Sequence, residues 1–274
     1  FSLLYWGNNV GFSIGPLVAG FLFDKAPRSL FAGNAVALLA AAAVVIFFAG
    51  GMAAKRSKGP DAEEAAEQSG APSPRGGTSV WAVLSANPIL TLYGLSAVLV
   101  AFVYNQHTFA LPLFLKDVLG PSVGPKAYGL TMTANGVTVV AATALVAFMS
   151  RRMAPLAAVA LASVFYAVGF GGYYFSGTVP LVILMTSLWT IGEILGATNG
   201  NAFIAERAPP AHRSRINAVI SLCYTVGNTL SPLVAGPLVR ALGSAMLWPI
   251  VALLSLVSAA AVFGIHRLDT RLRA

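Results

Sequence analysis

Apolar positions along this chain neither alternate nor recur on one helical face; they run on. Eight nearly uncharged stretches stand out, approximately 1–23, 30–50, 88–115, 127–149, 155–176, 180–205, 214–239 and 244–265. A spanning helix needs about 20 mostly apolar residues, because the hydrocarbon core is about 30 Å thick and each residue rises about 1.5 Å. Backbone exposed to lipid must satisfy its own hydrogen bonds, so only helices or a closed barrel can cross. Continuous runs of Leu, Val and Ala lack the dyad alternation of a barrel. The pattern therefore predicts an all-α membrane protein with eight transmembrane helices. One connection is long: "GMAAKRSKGPDAEEAAEQSGAPSPRGGTSV", residues 51–80, holds Gly, Pro, Ser and mixed charge without apolar periodicity. It reads as a flexible linker between two bundles.

Composition agrees with that class. Hydrophobic residues make up 57% and charged residues 9% of 274, with a mean hydropathy of +0.77, far from the quarter-charged average of soluble domains. The chain starts at Phe1 with no basic-then-apolar segment and cleavage site ahead of the first span, so no signal peptide is expected. The net charge of +8 is explained by cationic residues flanking spans, and no nucleic-acid partner is implied. If the 51–80 linker is cytoplasmic, that side carries twelve Lys and Arg and the other side five. The bias places both ends of the chain in the cytoplasm and the protein in the cell membrane. The single cysteine, Cys223, lies within an apolar span and reads as a small apolar side chain. No metal site is implied.

The block "PLVAG" occurs at Pro16–Gly20 and again at Pro232–Gly236, 216 residues later. Over Gly11–Lys25 and Gly227–Ala241, seven of fifteen positions are identical. Both copies lie in spans running outward, the first and the seventh. Two parallel six-helix halves would place equivalent spans six apart. On that count spans three to eight form a complete half, and spans one and two are the last two helices of the other.

Here the sequence resembles a known family. "GFSIGPLVAG", with Gly11, Gly15, Pro16 and Gly20, is similar to the fifth-helix signature of the major facilitator superfamily, best known in its proton-coupled antiporters. "LWTIGEILGATNGNAFIAERAPPAHRSRINA" (188–218) looks like the tenth helix and following loop of the multidrug-exporter-like branch, and "YNQHTFALPLFL" (104–115) like its seventh helix. The resemblance implies helices five to twelve of a twelve-helix, two-bundle fold. Residues 1–50 are then the last helices of the N-terminal bundle, 51–80 the linker, and 81–274 a six-helix C-terminal bundle with a short cytoplasmic tail. The loop "MSRRMAP" keeps Arg151 and Arg152 of the family pattern but lacks its usual Asp and Gly. Gly11 and Gly15, one turn apart, present a smooth face for close packing, and Pro16 tends to bend its helix. The resemblance implies a sealing and coupling role for that helix between the halves.

Ionisable groups inside spans cost about 2.5–3.5 kcal/mol at mid-helix on insertion scales, so they mark function. Glu193 is the foremost, 13 residues after Pro180 and so about 20 Å along its helix. A carboxyl there suits reversible protonation or a cationic substrate; it equally suits a helix contact beside Gly192 and Gly196. "NQH" (Asn105, Gln106, His107) is the second cluster, in a span expected to bend at Pro112. Consecutive helical residues point about 100° apart, so the three cannot share one cavity; the resemblance favours Gln106. His107 can titrate near neutrality, or serve as a hydrogen-bonded structural residue. Asn135, Asn199 and Asn201 are further candidates, and Tyr166, Tyr173, Tyr174, Trp189 and Tyr224 are candidate aromatic lining. In "AERAPPAHRSR", Glu206 can pair with Arg213 or Arg215 as a cytoplasmic gate, with Arg151 and Arg152 beside it.

There is no G-x-x-x-x-G-K-[ST] loop for ATP and no H-E-x-x-H or triad pattern, so neither an enzyme nor a cofactor is expected. The expected function is proton-coupled efflux of a drug-like or metabolite solute by alternating access. A nutrient symporter or facilitator, and a truncated membrane partner that does not itself transport, are the alternatives.

Overall fold

A computed structural model describes residues 11, 14–22, 26–56, 84–85, 87–209 and 212–273. The first ten residues of the first predicted span, and the linker beyond Arg56 up to residue 80, lie outside the described residues. Two compact units emerge, one of residues 22–79 and one of residues 1–21 with 80–274. The smaller unit contributes one described helix, α2 (Pro27–Arg56), longer by six residues than the span expected to end at 50.

The larger unit holds α1 (14–22), α3 (Pro88–Tyr104), α4 (Gln106–Leu119), α5 (Gly124–Ser150), α6 (Pro155–Gly172), α7 (Val179–Arg207), α8 (Arg213–Leu242) and α9 (Leu247–Arg273). Among the described residues seven helices are long and apolar enough to cross a membrane, with α3 and α4 counting as one. The starts follow a common rule. α3, α5, α6 and α7 each place proline in the first turn, where its missing N–H costs nothing. α4 and α8 both stop at a glycine of positive φ, Gly120 at 84° and Gly243 at 85°, a backbone state other residues enter only with strain.

The principal pairings are α6 with α7, α6 with α9, α3 with α8 and α5 with α7. Small residues bring these helices together. A Cβ on Gly169 would lie 2.7 Å from both Cβ and N of Trp189, and one on Gly192 would lie 2.7 Å from the Ala162 carbonyl oxygen. Each helix of the α6–α7 pair thus supplies one glycine. A core of large rings fills one end: Phe170 stacks between Trp189 (5.3 Å) and Trp248 (6.3 Å), with Tyr173 and Phe114 alongside. At one polar edge Trp189 Nε1 donates to Tyr173 Oη (2.7 Å), which bonds Thr186 Oγ1 (2.7 Å), while the buried Trp248 Nε1 has no hydrogen-bond partner. Leu95, Leu145, Leu184, Leu222 and Leu253 stand exposed on the outer helix faces, as expected of surfaces facing lipid tails.

The two copies of the repeat pack differently. In α8, Gly227 abuts Val98, Ala101 and Phe102 of α3, and Ser231 and Ala235, one and two turns on, are fully buried. In the first copy, Gly11 and Gly15 have open space where a Cβ would stand, and Gly20 is the close contact, against Pro125. α5 answers with Gly129, where a Cβ would lie 2.6 Å from the Pro16 carbonyl. The helix α4 continues past Pro112, and the helical run is interrupted at Asn105, between α3 and α4. There Thr108 N–H reaches the Asn105 carbonyl.

Candidate functional site

A cavity of about 460 Å³ lies among α3, α6, α7 and α8. It begins at the level of Tyr104, Tyr166 and Glu193, and extends toward the end of the bundle bearing Ile204 and Asn217. Glu193 is the central residue of the 29-residue α7, fourteen from either end, or about 21 Å from each by helical rise. Among the described lining residues it is the one with a charged side chain; the rest are Tyr, Ser, Asn, Gly and aliphatic.

Both carboxylate oxygens are engaged. Tyr104 Oη donates to Oε1 at 3.0 Å, and Asn135 Nδ2 donates to Oε2 at 2.9 Å. Asn135 is oriented by its second N–H, which bonds Thr190 Oγ1 at 2.9 Å. Thr190 gives its own hydrogen to the Thr186 carbonyl (2.7 Å), so its lone pair faces the amide. Three spans therefore meet at one carboxyl: α3 through Tyr104, α5 through Asn135, and α7 itself. One side chain thereby links three helices.

The sequence-derived candidates separate clearly. Glu193, Asn201, Tyr166 and Tyr224 line the cavity. Asn135 does not line it but holds Glu193 from behind. None of Asn105, Gln106 and His107 is among the lining residues: Gln106 is fully buried and donates to Ser231 Oγ at 2.9 Å, and Asn105 Nδ2 donates to the Asn228 carbonyl of α8 at 3.1 Å. Asn199 faces α5, bonding Ser150 at 3.3 Å. Tyr173 and Trp189 are core residues, and Tyr174 is exposed.

Two features escaped sequence reasoning, apart from Tyr224 as a single candidate. Asn217, Ser221, Tyr224 and Asn228 recur at i, i+4, i+7 and i+11 along α8 and line the cavity as one polar stripe. That spacing is a helical face, legible in principle but masked by the small cost of single Ser and Asn residues in an apolar span. At the end of the bundle, Arg207 of α7 forms an ion pair with Asp269 of α9. The signal was the lone acid in the basic tail "HRLDTRLR". Arg213 donates to the Ala205 (2.7 Å) and Ala208 (3.2 Å) carbonyls, capping α7. Arg151 lies over the Phe148 ring at 3.9 Å, and Arg152, Glu206 and Arg215 are exposed.

The far end of the cavity has its own tight point. Tyr93 Oη occupies the space a Cβ on Gly200 would need, 2.5 Å away. Gly200→Ala is expected to tilt the buried Tyr93 ring off its rotamer, at a cost of about 0.5–1.5 kcal/mol in stability. A thermal melt in detergent checks this, with Tyr93→Phe, which retains the ring, expected to remain closer to wild type.

Comparisons with known proteins fit this architecture. The family model of the Major Facilitator Superfamily matches residues 1–232 and again 122–272. The MFS-type transporter YqjV of Bacillus subtilis (strain 168) is 24% identical over 148 residues, an alignment covering 54% of this chain and 36% of that protein. YhjO of the same organism is 25% identical over 83 residues, covering 30% and 21%. The matches thus span about a third of one curated relative and a fifth of the other. A crystal structure of a POT family transporter in complex with 5-aminolevulinic acid has the same fold, with a TM-score of 0.60 at 12% identity over 96% of this chain and 68% of that one. A helical membrane bundle built around a central carboxyl, matched along nearly its whole length by that family model, belongs to the major facilitator superfamily.

Proposed function

We propose that the protein is a proton-coupled exporter of small organic molecules, working by alternating access with Glu193 as the proton-carrying group. The observation that carries this reading is a single carboxyl at the centre of a cavity-lining helix, held by Tyr104 and Asn135. Both contacts present donors to the carboxylate. Protonation requires one of them to reverse: Tyr104 can turn from donor to acceptor, whereas the Asn135 N–H cannot. A proton on Oε1 thus rearranges the bond to α3, which is the kind of local change that biases a rocking bundle.

The lining supports an uncharged or cationic solute. With no Lys, Arg or His among the described lining residues, an anion would meet one negative group and nothing to neutralise it. Tyr104, Tyr166 and Tyr224 offer ring faces to a cation. A cation and a proton would then compete for the same carboxyl, which gives antiport directly. The resemblance to the multidrug-exporter-like branch, and the correspondence to helices five to twelve with domains at 1–50, 51–80 and 81–274, belong to the same proposal. So does a plasma-membrane location with both ends cytoplasmic, supported by the Lys and Arg bias. On that orientation the cavity faces the cytoplasm, the loading side for an exporter, and exposed Arg151, Arg152, Glu206 and Arg215 are available to contact the other bundle.

The test is transport into liposomes of a permanently charged quaternary ammonium dye, which cannot be trapped by pH alone. Accumulation is expected with vesicles acid inside and absent with the gradient reversed. The opposite polarity identifies a symporter. No movement by this chain, against movement by a longer polypeptide containing it, identifies a non-transporting partner.

A further inference from the structure

The "NQH" cluster is polar, intramembrane and outside the cavity, so the cavity does not account for it. Its geometry shows what it does. Thr108 N–H turns to the Asn105 carbonyl (3.1 Å) at the α3–α4 break. His107 Nδ1 lies 2.5 Å from the Tyr104 carbonyl oxygen. A carbonyl only accepts, so Nδ1 carries the hydrogen, and Nε2 accepts from Thr108 Oγ1 at 3.0 Å. Both ring nitrogens are thereby used in the neutral form. Gln106 does the same for the preceding turn, donating through Nε2 to the Phe102 carbonyl at 3.2 Å as well as to Ser231.

The His107 ring is held on both sides, 4.5 Å from the Tyr104 ring and 5.3 Å from Trp189 between centroids. It is buried at 8% exposure, and its path to Glu193 runs through Tyr104 rather than directly. Tyr104 is therefore gripped twice. Its carbonyl is bound by His107, and its hydroxyl reaches Glu193 Oε1 at 3.0 Å.

We propose that His107 is a positioning residue: through Nδ1–H it fixes the Tyr104 main chain at the α3–α4 break, and so aims the Tyr104 hydroxyl at Glu193. It carries no proton in the cycle. The transport consequence rests on the reading of Glu193 as the coupling carboxyl; the geometric claim does not.

Side-chain chemistry separates the two ring nitrogens. The Nδ2 of asparagine is attached at Cγ, where the Nδ1 of histidine is, whereas glutamine places its donor one atom further out. Two readouts are taken on the protein reconstituted in liposomes: the rate at which a hydrophobic carbodiimide modifies Glu193, followed by mass spectrometry, and gradient-driven dye accumulation. Tyr104→Phe and His107→Gln should change the labelling rate in the same direction by roughly three- to tenfold, the worth of one hydrogen bond. His107→Asn should restore it to within about twofold, and its dye accumulation should match wild type. His107→Leu, which keeps bulk without a donor, stands in if the glutamine variant does not fold. The proposal is overturned if His107→Asn shifts labelling as far as His107→Gln or His107→Leu, or if Tyr104→Phe leaves labelling unchanged. It is equally overturned if His107→Asn labels normally yet loses coupling, which would make His107 a proton carrier. Normal coupling in Glu193→Gln, with the labelling pattern of the other variants as expected, would instead sink the transport reading and leave the positioning role standing.

Discussion

Glu193→Gln is expected to abolish accumulation driven by a pH gradient while leaving downhill exchange of solute intact. Glutamine keeps the volume of the carboxyl and can place Oε1 against Asn135 Nδ2, which only donates. Its Nε2 then faces Tyr104, whose hydroxyl turns to accept. The substitution is thus a fixed imitation of the protonated state, and it asks little of the surrounding helices. Coupling between two ligands of one protein is reciprocal and commonly amounts to roughly 5- to 150-fold in affinity. Removing the titrating group should cost gradient-driven accumulation a factor in that range, until passive leak sets the floor. Solute counterflow without a gradient is the control for an intact cavity. Glu193→Asp is informative beside it: one methylene shorter, it cannot reach Tyr104 and Asn135 together, and should retain partial coupling. Gradient-driven accumulation equal to wild type in Glu193→Gln would remove this carboxyl from the mechanism.

The second large effect concerns stability. Gly169→Ala is expected to destabilise the bundle by about 1–3 kcal/mol, the usual cost of overpacking, and Gly169→Val to prevent recovery of folded protein. The obstacles are Trp189 Cβ and N at 2.7 Å and the Met185 carbonyl at 2.8 Å. Two of these are main-chain atoms, so relief requires α6 and α7 to separate. The partner change Gly192→Ala meets the Ala162 carbonyl at 2.7 Å and Phe165 Cβ at 2.9 Å, and should behave alike. A bundle of this size loses about 2–4 °C of melting temperature per kcal/mol, so a thermal scan in detergent should resolve either alanine variant. Gly264→Ala is the control, because a Cβ there meets nothing within 4 Å and alanine favours the helix by up to about 1 kcal/mol. A Gly169→Ala protein melting with wild type would mean that α6 and α7 lie further apart than these contacts require.

Hydropathy made the spans legible because the bilayer imposes one length and one polarity on each. It also exposed Glu193, since an acid in twenty apolar residues is costly enough to need a reason. What it could not supply was the reason itself. Asn135 lies 58 residues from Glu193 and Tyr104 lies 89 away, so their convergence is tertiary and leaves no local trace. "NQH" was visible as a polar cluster, but regular helical spacing treated it as a choice of side chains for a cavity. The break at Asn105 changes the question to which backbone groups need partners. Proline drew attention to position 112, yet a helix tolerates proline when nearby groups resatisfy its ladder. The repeat could not predict that one copy seats its Gly227–Ser231 face on α3 while the other relies on Gly20.

The aromatic stack also has an optical consequence. Of four tryptophans in the chain, Trp189 and Trp248 are fully buried on either side of Phe170. With Trp6 and Trp81 replaced by phenylalanine, the remaining indole emission should be short-wavelength and shielded from aqueous quenchers. Trp189 lies 6.0 Å from the Tyr104 ring, whose hydroxyl touches Glu193. A solute arriving at that carboxyl would alter the indole's surroundings before any helix moved far. Binding could then be followed by intrinsic fluorescence alone, with no dye attached to either protein or solute.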